Sequence, residues 1–186
     1  MDTETFLAYF KENLKGENIE EKINIDEWIY GPGLPSNIPV VNSNRMAEMG
    51  ARASEYSEGK FALNNLNWAS LSYQEKVYFL SNVKVSSNAQ LDELSSTLGL
   101  LEEKNNEVLF TWLELAVKNH YTKAYNQLTE FLTEVGRRKF VAPLYEDLVA
   151  TNQKDVAAKI YQTARKNYHA VTVQTVDALL YDSVGK

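Results

Sequence analysis

Arg137, Arg138 and Lys139 follow one another between Gly136 and Phe140, the densest run of positive charge in a chain whose formal net charge is −6. A guanidinium presents a planar fork of donors that grips a carboxylate through two parallel hydrogen bonds, and an ammonium adds a compact point charge. The chemistry such a run can do is therefore recognition of an anion. Its competitor is structural: cations just past the end of a helix complement the negative end of the dipole, worth about 0.3–1 kcal/mol. On residue types alone the structural role is the commoner.

Other chemistry finds little support. His120 and His169 are far apart, neither sits in an HExxH arrangement, and the chain has no cysteine. A catalytic zinc needs three close protein ligands and an open position, so no metal site is expected within this stretch. No G-x-S-x-G elbow or Cys–His pairing is present, which leaves no catalytic residue to nominate. A pI near 5.1 argues against nucleic acid as the main partner. No apolar run approaches the ~20 residues of a membrane span and the N-terminus is not that of a signal peptide, so a soluble, cytoplasmic protein is the expectation. The hydrophobic and charged fractions, 44% and 24%, are those of an ordinary globular domain.

The elements that must position the cationic run are helices. Ala124, Leu128, Phe131, Leu132 and Val135 recur at helical spacing, and Gly136 is expected to stop that helix through a positive φ. Phe140, Leu144 and Leu148 begin another. Upstream, Phe6, Leu7, Phe10 and Leu14 share one helical face, and Trp28-Ile29-Tyr30 closes a short apolar cluster. Three of the four prolines fall in Gly31–Pro39, which reads as a stiff linker. After it, helices are expected from Asn42 or Ser43 to Glu58 and from Ser72 to Val83. Ser87-Asn88-Ala89-Gln90, in capping-box form, leads the next as far as Gly99. Further ones open at Asn105 or Asn106, at Thr122, at Phe140, at Asn152 and at Thr172. Lys60–Ala69 is a loop too apolar to lie in solvent. Roughly seven or eight helices with short connections must stack in antiparallel pairs, giving an all-α chain with a curved, HEAT- or armadillo-like α-α superhelix.

Three strings carry a family resemblance. Trp28-Ile29-Tyr30-Gly31-Pro32-Gly33-Leu34-Pro35 resembles the W-x-Y-x-x-G-L-P junction of leukotriene A4 hydrolase and related zinc aminopeptidases. Leu109-Phe110-Thr111-Trp112-Leu113 is similar to that family's F/L-x-W-L stretch. Gly136 to Tyr145 resembles its G-R-x-K-F-x-x-P-L-[FY]. The likeness runs from about Phe6 to about Leu180. It implies that 1–24 is the last helix of a zinc peptidase domain lying outside this stretch, 25–41 the linker, and 42–186 the C-terminal helical domain. It also implies that Arg137 reaches into a peptide cleft and holds the substrate's C-terminal carboxylate, with Lys139 assisting. Arg138 stands where the family varies, and it either deepens the positive potential or faces solvent. Zinc, the catalytic base and the residues that read the substrate's first side chain belong to the upstream peptidase domain, so this stretch alone is expected to be inactive.

The alternative is a helical interaction scaffold with the cationic corner as a docking point for acidic partners. Phe6, Phe10, Ile25, Trp28 and Ile29 are expected to form an apolar patch that the upstream domain would cover, and to drive dimerisation without it.

Overall fold

The computed structural model describes residues 2–14, 16, 18–40 and 43–181. Its described residues contain helices and turns and no strand, as the periodicity predicts, and the chain divides into two compact units, 1–43 and 44–186.

The first unit holds α1 (Thr3–Asn13), α2 (Ile19–Ile23) and α3 (Ile25–Tyr30). Asp2 caps α1 by accepting from the Thr5 amide at 2.8 Å, and hydrogen bonding from the Thr5 side chain, then from its amide, depresses the Asp2 pKa because the carboxylate form is the one that accepts. Asn24, left-handed at φ 56°, separates α2 from α3. The Gly/Pro segment is clasped back onto α3 instead of running free. Ser36 donates to Glu27 through its amide and its hydroxyl, at 2.9 and 2.7 Å. Trp28 Nε1 donates to Asn37 Oδ1 at 2.9 Å, and Asn37 Nδ2 to the Ile23 carbonyl at 2.7 Å. Few apolar side chains of this unit are covered. Phe6, Tyr9, Trp28, Tyr30, Leu34 and Val40 are all exposed, whereas Ile25, expected on that open patch, is buried at 7% exposure. It opens α3 immediately after the bend that Asn24 imposes.

The second unit runs through α4 (Arg45–Ser57), α5 (Tyr73–Asn82), α6 (Asn88–Leu98), α7 (Asn106–Lys118), α8 (Tyr125–Glu134), α9 (Arg138–Ala150), α10 (Lys154–Ala164) and α11 (Ala170–Tyr181). Alternate helices build a layer in which α5 packs on α4 and α7, α7 on α9, and α9 on α11; α8 and α10 pair beside it. This is the stacking that short connections between helices of this length require. Central in the layer is α7, with Val108, Leu109, Thr111, Trp112, Leu113, Ala116 and Val117 all buried. The apolar loop after α4 folds into two tight turns that bury Leu63 and Leu66 and set Trp68 edge-on to Phe79, ring centroids 6.1 Å apart.

Helix starts follow the caps where the caps are strong. Ser72 and Glu75 form a complete capping box on α5, and Asn105 accepts from the Glu107 and Val108 amides at the head of α7. Weaker starts differ from expectation. Helix α4 begins after Asn44, Asn42 lying outside the described residues. Thr122 opens a short 3-10 turn and not α8, which starts at Tyr125 without a side-chain cap. Asn152 takes a left-handed φ of 60° between helices, so α10 starts two residues later; α11 starts at Ala170, which places Thr172 inside its first turn, buried.

Candidate functional site

Helices α8 and α9 meet at the cationic run, and their ends have opposite signs. Residue 135 caps the negative C-terminus of α8, while Arg137 is the N-cap of α9 and Arg138 and Lys139 open it. The first turn of α9 holds no acidic residue. Three cations therefore stand at the positive end of their own helix, an arrangement that costs α9 stability and favours an arriving anion. The negative end of α8 offsets part of that cost, so the dipoles alone do not separate the two roles.

The side chains divide the run. Arg138 Nε donates to Thr175 Oγ1 of α11 at 2.9 Å, which ties it to the neighbouring helix. The Lys139 ammonium is ion-paired with the Glu107 carboxylate in the first turn of α7. Arg137 is exposed and its guanidinium makes no hydrogen bond or ion pair among the described residues; the guanidinium carbon sits 5.8 Å from the Phe140 ring centre. The Lys139 ammonium lies 4.9 Å from the same ring. Phe140 is buried and wedged between Phe110 and Phe131, at 5.3 and 5.9 Å between ring centres. A fixed aromatic face under two cations supports them through the ring quadrupole. Pro143 follows in α9 and has no N–H to offer the Lys139 carbonyl four residues earlier, so that end of the helix is bonded less than its middle.

Gly136 precedes this corner for a reason other than the one its position suggests. Its φ is not positive; positive φ among the described glycines occurs at Gly33, Gly59 and Gly99. What Gly136 allows is proximity, since a Cβ there would stand 3.1 Å from the backbone oxygen of Asn167. Gly99, by contrast, ends α6 at φ 65°, as expected.

Glu107 and Thr175 are the polar partners that reading the sequence missed. Their separations from the corner, 32 and 37 residues, carry no local signal. Only the acid in the first turn of α7 is a recognisable sign, and by itself it reads as dipole complementation. The 240 Å³ cavity beside the corner is lined by Asn106, Leu109, Phe131 and Val135 together with Glu130 and Glu134, and by none of the three cations. His120 occupies a left-handed turn after α7, φ 53°. Trp112, Tyr161 and Tyr168 are buried packing residues.

Residues 71–180, more than half of the chain, match the family described as leukotriene A4 hydrolase, C-terminal. The chain belongs to that family. Leucine aminopeptidase 2 of Aspergillus oryzae is 25% identical over 183 residues, covering 95% of this chain and 30% of the relative. Its namesake from Aspergillus niger is 28% identical over 188 residues, with the same coverages. The solved structure of native yeast LTA4 hydrolase matches with a TM-score of 0.64 at 20% identity, over 97% of this chain and 33% of that one. That enzyme in complex with bestatin matches with a TM-score of 0.62 at 19% identity. These structures establish a shared helical fold, and the chain spans about a third of the length of the proteins it resembles. The resemblance carried by the three motifs and the all-α architecture are both upheld. Among the described residues no three His, Cys, Asp or Glu side chains come together to hold a metal ion, and no helix is long and apolar enough to cross a membrane.

Proposed function

We propose that this chain is the C-terminal part of a zinc aminopeptidase, that its helical unit forms one wall of the peptide cleft, and that Arg137 binds the C-terminal carboxylate of the substrate. The carrying observation is the division of labour at the corner: Arg138 and Lys139 are engaged by Thr175 and Glu107, and of the three side chains that of Arg137 alone has no polar partner among the described residues. Since the neighbouring cavity excludes the cations, the corner is open ground that needs an opposing surface to become a pocket, which fits one wall of a two-sided cleft.

The zinc is assigned to the upstream peptidase domain: among the described residues no three His, Cys, Asp or Glu side chains come together to hold a metal ion, and no step is assigned to one here. What this chain contributes is binding energy at the far end of the substrate. Held there, a peptide presents its scissile bond in fixed register, which raises the effective concentration of the reacting groups. A bidentate guanidinium–carboxylate contact shielded from water is worth about 1.5–3 kcal/mol. In the intact polypeptide, Arg137→Ala should lower kcat/KM for trialanine about ten-fold or more. It should barely change alanine 4-nitroanilide, which has no terminal carboxylate. Equal losses on the two substrates rule the role out, and a stoichiometric acidic protein partner with no peptidase activity would favour the scaffold reading.

A further inference from the structure

We propose that Glu107 is a specificity-determining residue of the cationic corner, which restricts it to the single negative charge of a peptide terminus. This rests on the carboxylate-binding role of Arg137. The three cations give the corner a charge of +3, and the Glu107 carboxylate lowers it to +2 by occupying the Lys139 ammonium. Framework holds the pair in place. Glu107 is fixed in the first turn of α7, its amide donating to Asn105 Oδ1 at 3.0 Å and its carbonyl accepting from Thr111 Oγ1 at 2.9 Å. Lys139 lies in the first turn of α9, which packs directly on α7. At the opposite end of the same two helices Lys118 Nζ meets Asp147 Oδ2 at 3.1 Å, so the helices run side by side with both N-termini at the corner.

A substrate's terminal carboxylate arriving at Arg137 meets no competitor there. A second carboxylate, on a C-terminal Asp or Glu side chain, would need another cation, and the intervening Arg138 is turned to Thr175 of α11. The second carboxylate would find Lys139 taken and a like charge beside it, and like charges at close range repel. The corner should thus discriminate against dianionic peptide ends, and the discrimination should reside in Glu107 and not in Arg137.

The test compares Ala-Ala-Asp with its near-isostere Ala-Ala-Asn in the intact polypeptide, as a ratio of kcat/KM within each variant. Glu107→Gln should raise the Asp/Asn ratio about five-fold, the size expected of a partly exposed charge contact. Lys139→Gln, which strips Glu107 of its counter-charge, should move the ratio the opposite way. Glu107→Asp should restore the wild-type value, an outcome that a merely structural role would not produce. If Glu107→Gln does not fold, the Lys139→Gln ratio decides. A ratio unmoved by both variants overturns the proposal, and so does a shift of the same sign in each. Arg137→Ala separates the two layers: its selective loss on trialanine, with an Asp/Asn ratio that Glu107→Gln and Lys139→Gln leave unmoved, sinks the role of Glu107 alone, whereas equal loss on trialanine and the anilide removes the carboxylate site and this inference with it.

Discussion

Gly136→Ala sets two reasons for a glycine at a helix end against each other. The backbone at 136 is not in the left-handed region, so alanine can adopt it, and the reduced freedom of the unfolded chain favours alanine by about 0.4–1 kcal/mol. Opposing this, the new Cβ would stand 3.1 Å from the Asn167 backbone oxygen and 3.9 Å from the Tyr168 ring. That oxygen is not free to retreat. Asn167 Nδ2 donates to the Thr133 carbonyl at 2.9 Å, and the buried Tyr168 hydroxyl donates to the carbonyl of Leu132, fastening the α10–α11 connection to α8. Overpacking a fixed contact costs about 1–3 kcal/mol. The net expectation is a loss of about 1 kcal/mol, or about 3 °C in Tm for a unit of this size. Gly99 is the control, at φ 65° with nothing within 4 Å of an added Cβ. There asparagine, which tolerates the left-handed region, should cost less than alanine. At Gly136 the larger asparagine should cost more than alanine. Urea unfolding followed by circular dichroism reads all four variants. Stabilisation by Gly136→Ala of about 0.4 kcal/mol or more, or asparagine outperforming alanine at 136, would refute the reasoning. Because Gly136 precedes the N-cap Arg137, the same substitution should also disturb the aim of the guanidinium.

Two further outcomes are expected. Burial raises the pKa of Asp147 and of Glu114, in the latter case with the Asp147 charge adding to it, despite the Lys118 ammonium between them. A raised carboxyl binds its proton more tightly folded than unfolded, so its stabilisation is present below the ordinary value of 3.8 for Asp147 and is lost as pH rises through the folded value. Asp147→Asn removes that loss, and its urea midpoint should therefore gain on wild type as pH rises above 3.8; parallel profiles would contradict the sign. The exposed Phe6, Tyr9, Trp28, Tyr30 and Leu34 of the first unit should make the isolated chain self-associate, measured by sedimentation equilibrium. Phe6→Ser with Trp28→Ser should shift it towards monomer, and a wild-type chain monomeric at high concentration would count against the patch.

What could be read from the sequence was whatever is decided locally. Ser72 with Glu75 three residues on, Asn105 before an apolar run, and Gly99 after one each settle a helix end by hydrogen bonds within a single turn, and each sits where its type implies. Thr122 and Asn152 offered the same residue types, but tertiary contacts claimed the neighbourhood. Next to Asn152, Gln153 sends its amide to the Val117 carbonyl at the end of α7 instead of capping α10. The start of α9 was harder still, because three cations at a helix N-terminus oppose every local preference for that position. A local rule broken without compensation nearby points to a function or to a distant partner. Here distant partners appear: Glu107 and Thr175 reach the corner across 32 and 37 residues, from α7 and α11 on either side of α9. Their presence depends on the order in which helices stack, which periodicity cannot specify. The motif resemblance set Arg137 and Lys139 apart from Arg138, and the packing draws a different line, leaving the Arg137 side chain without a polar partner among the described residues while Arg138 and Lys139 are held.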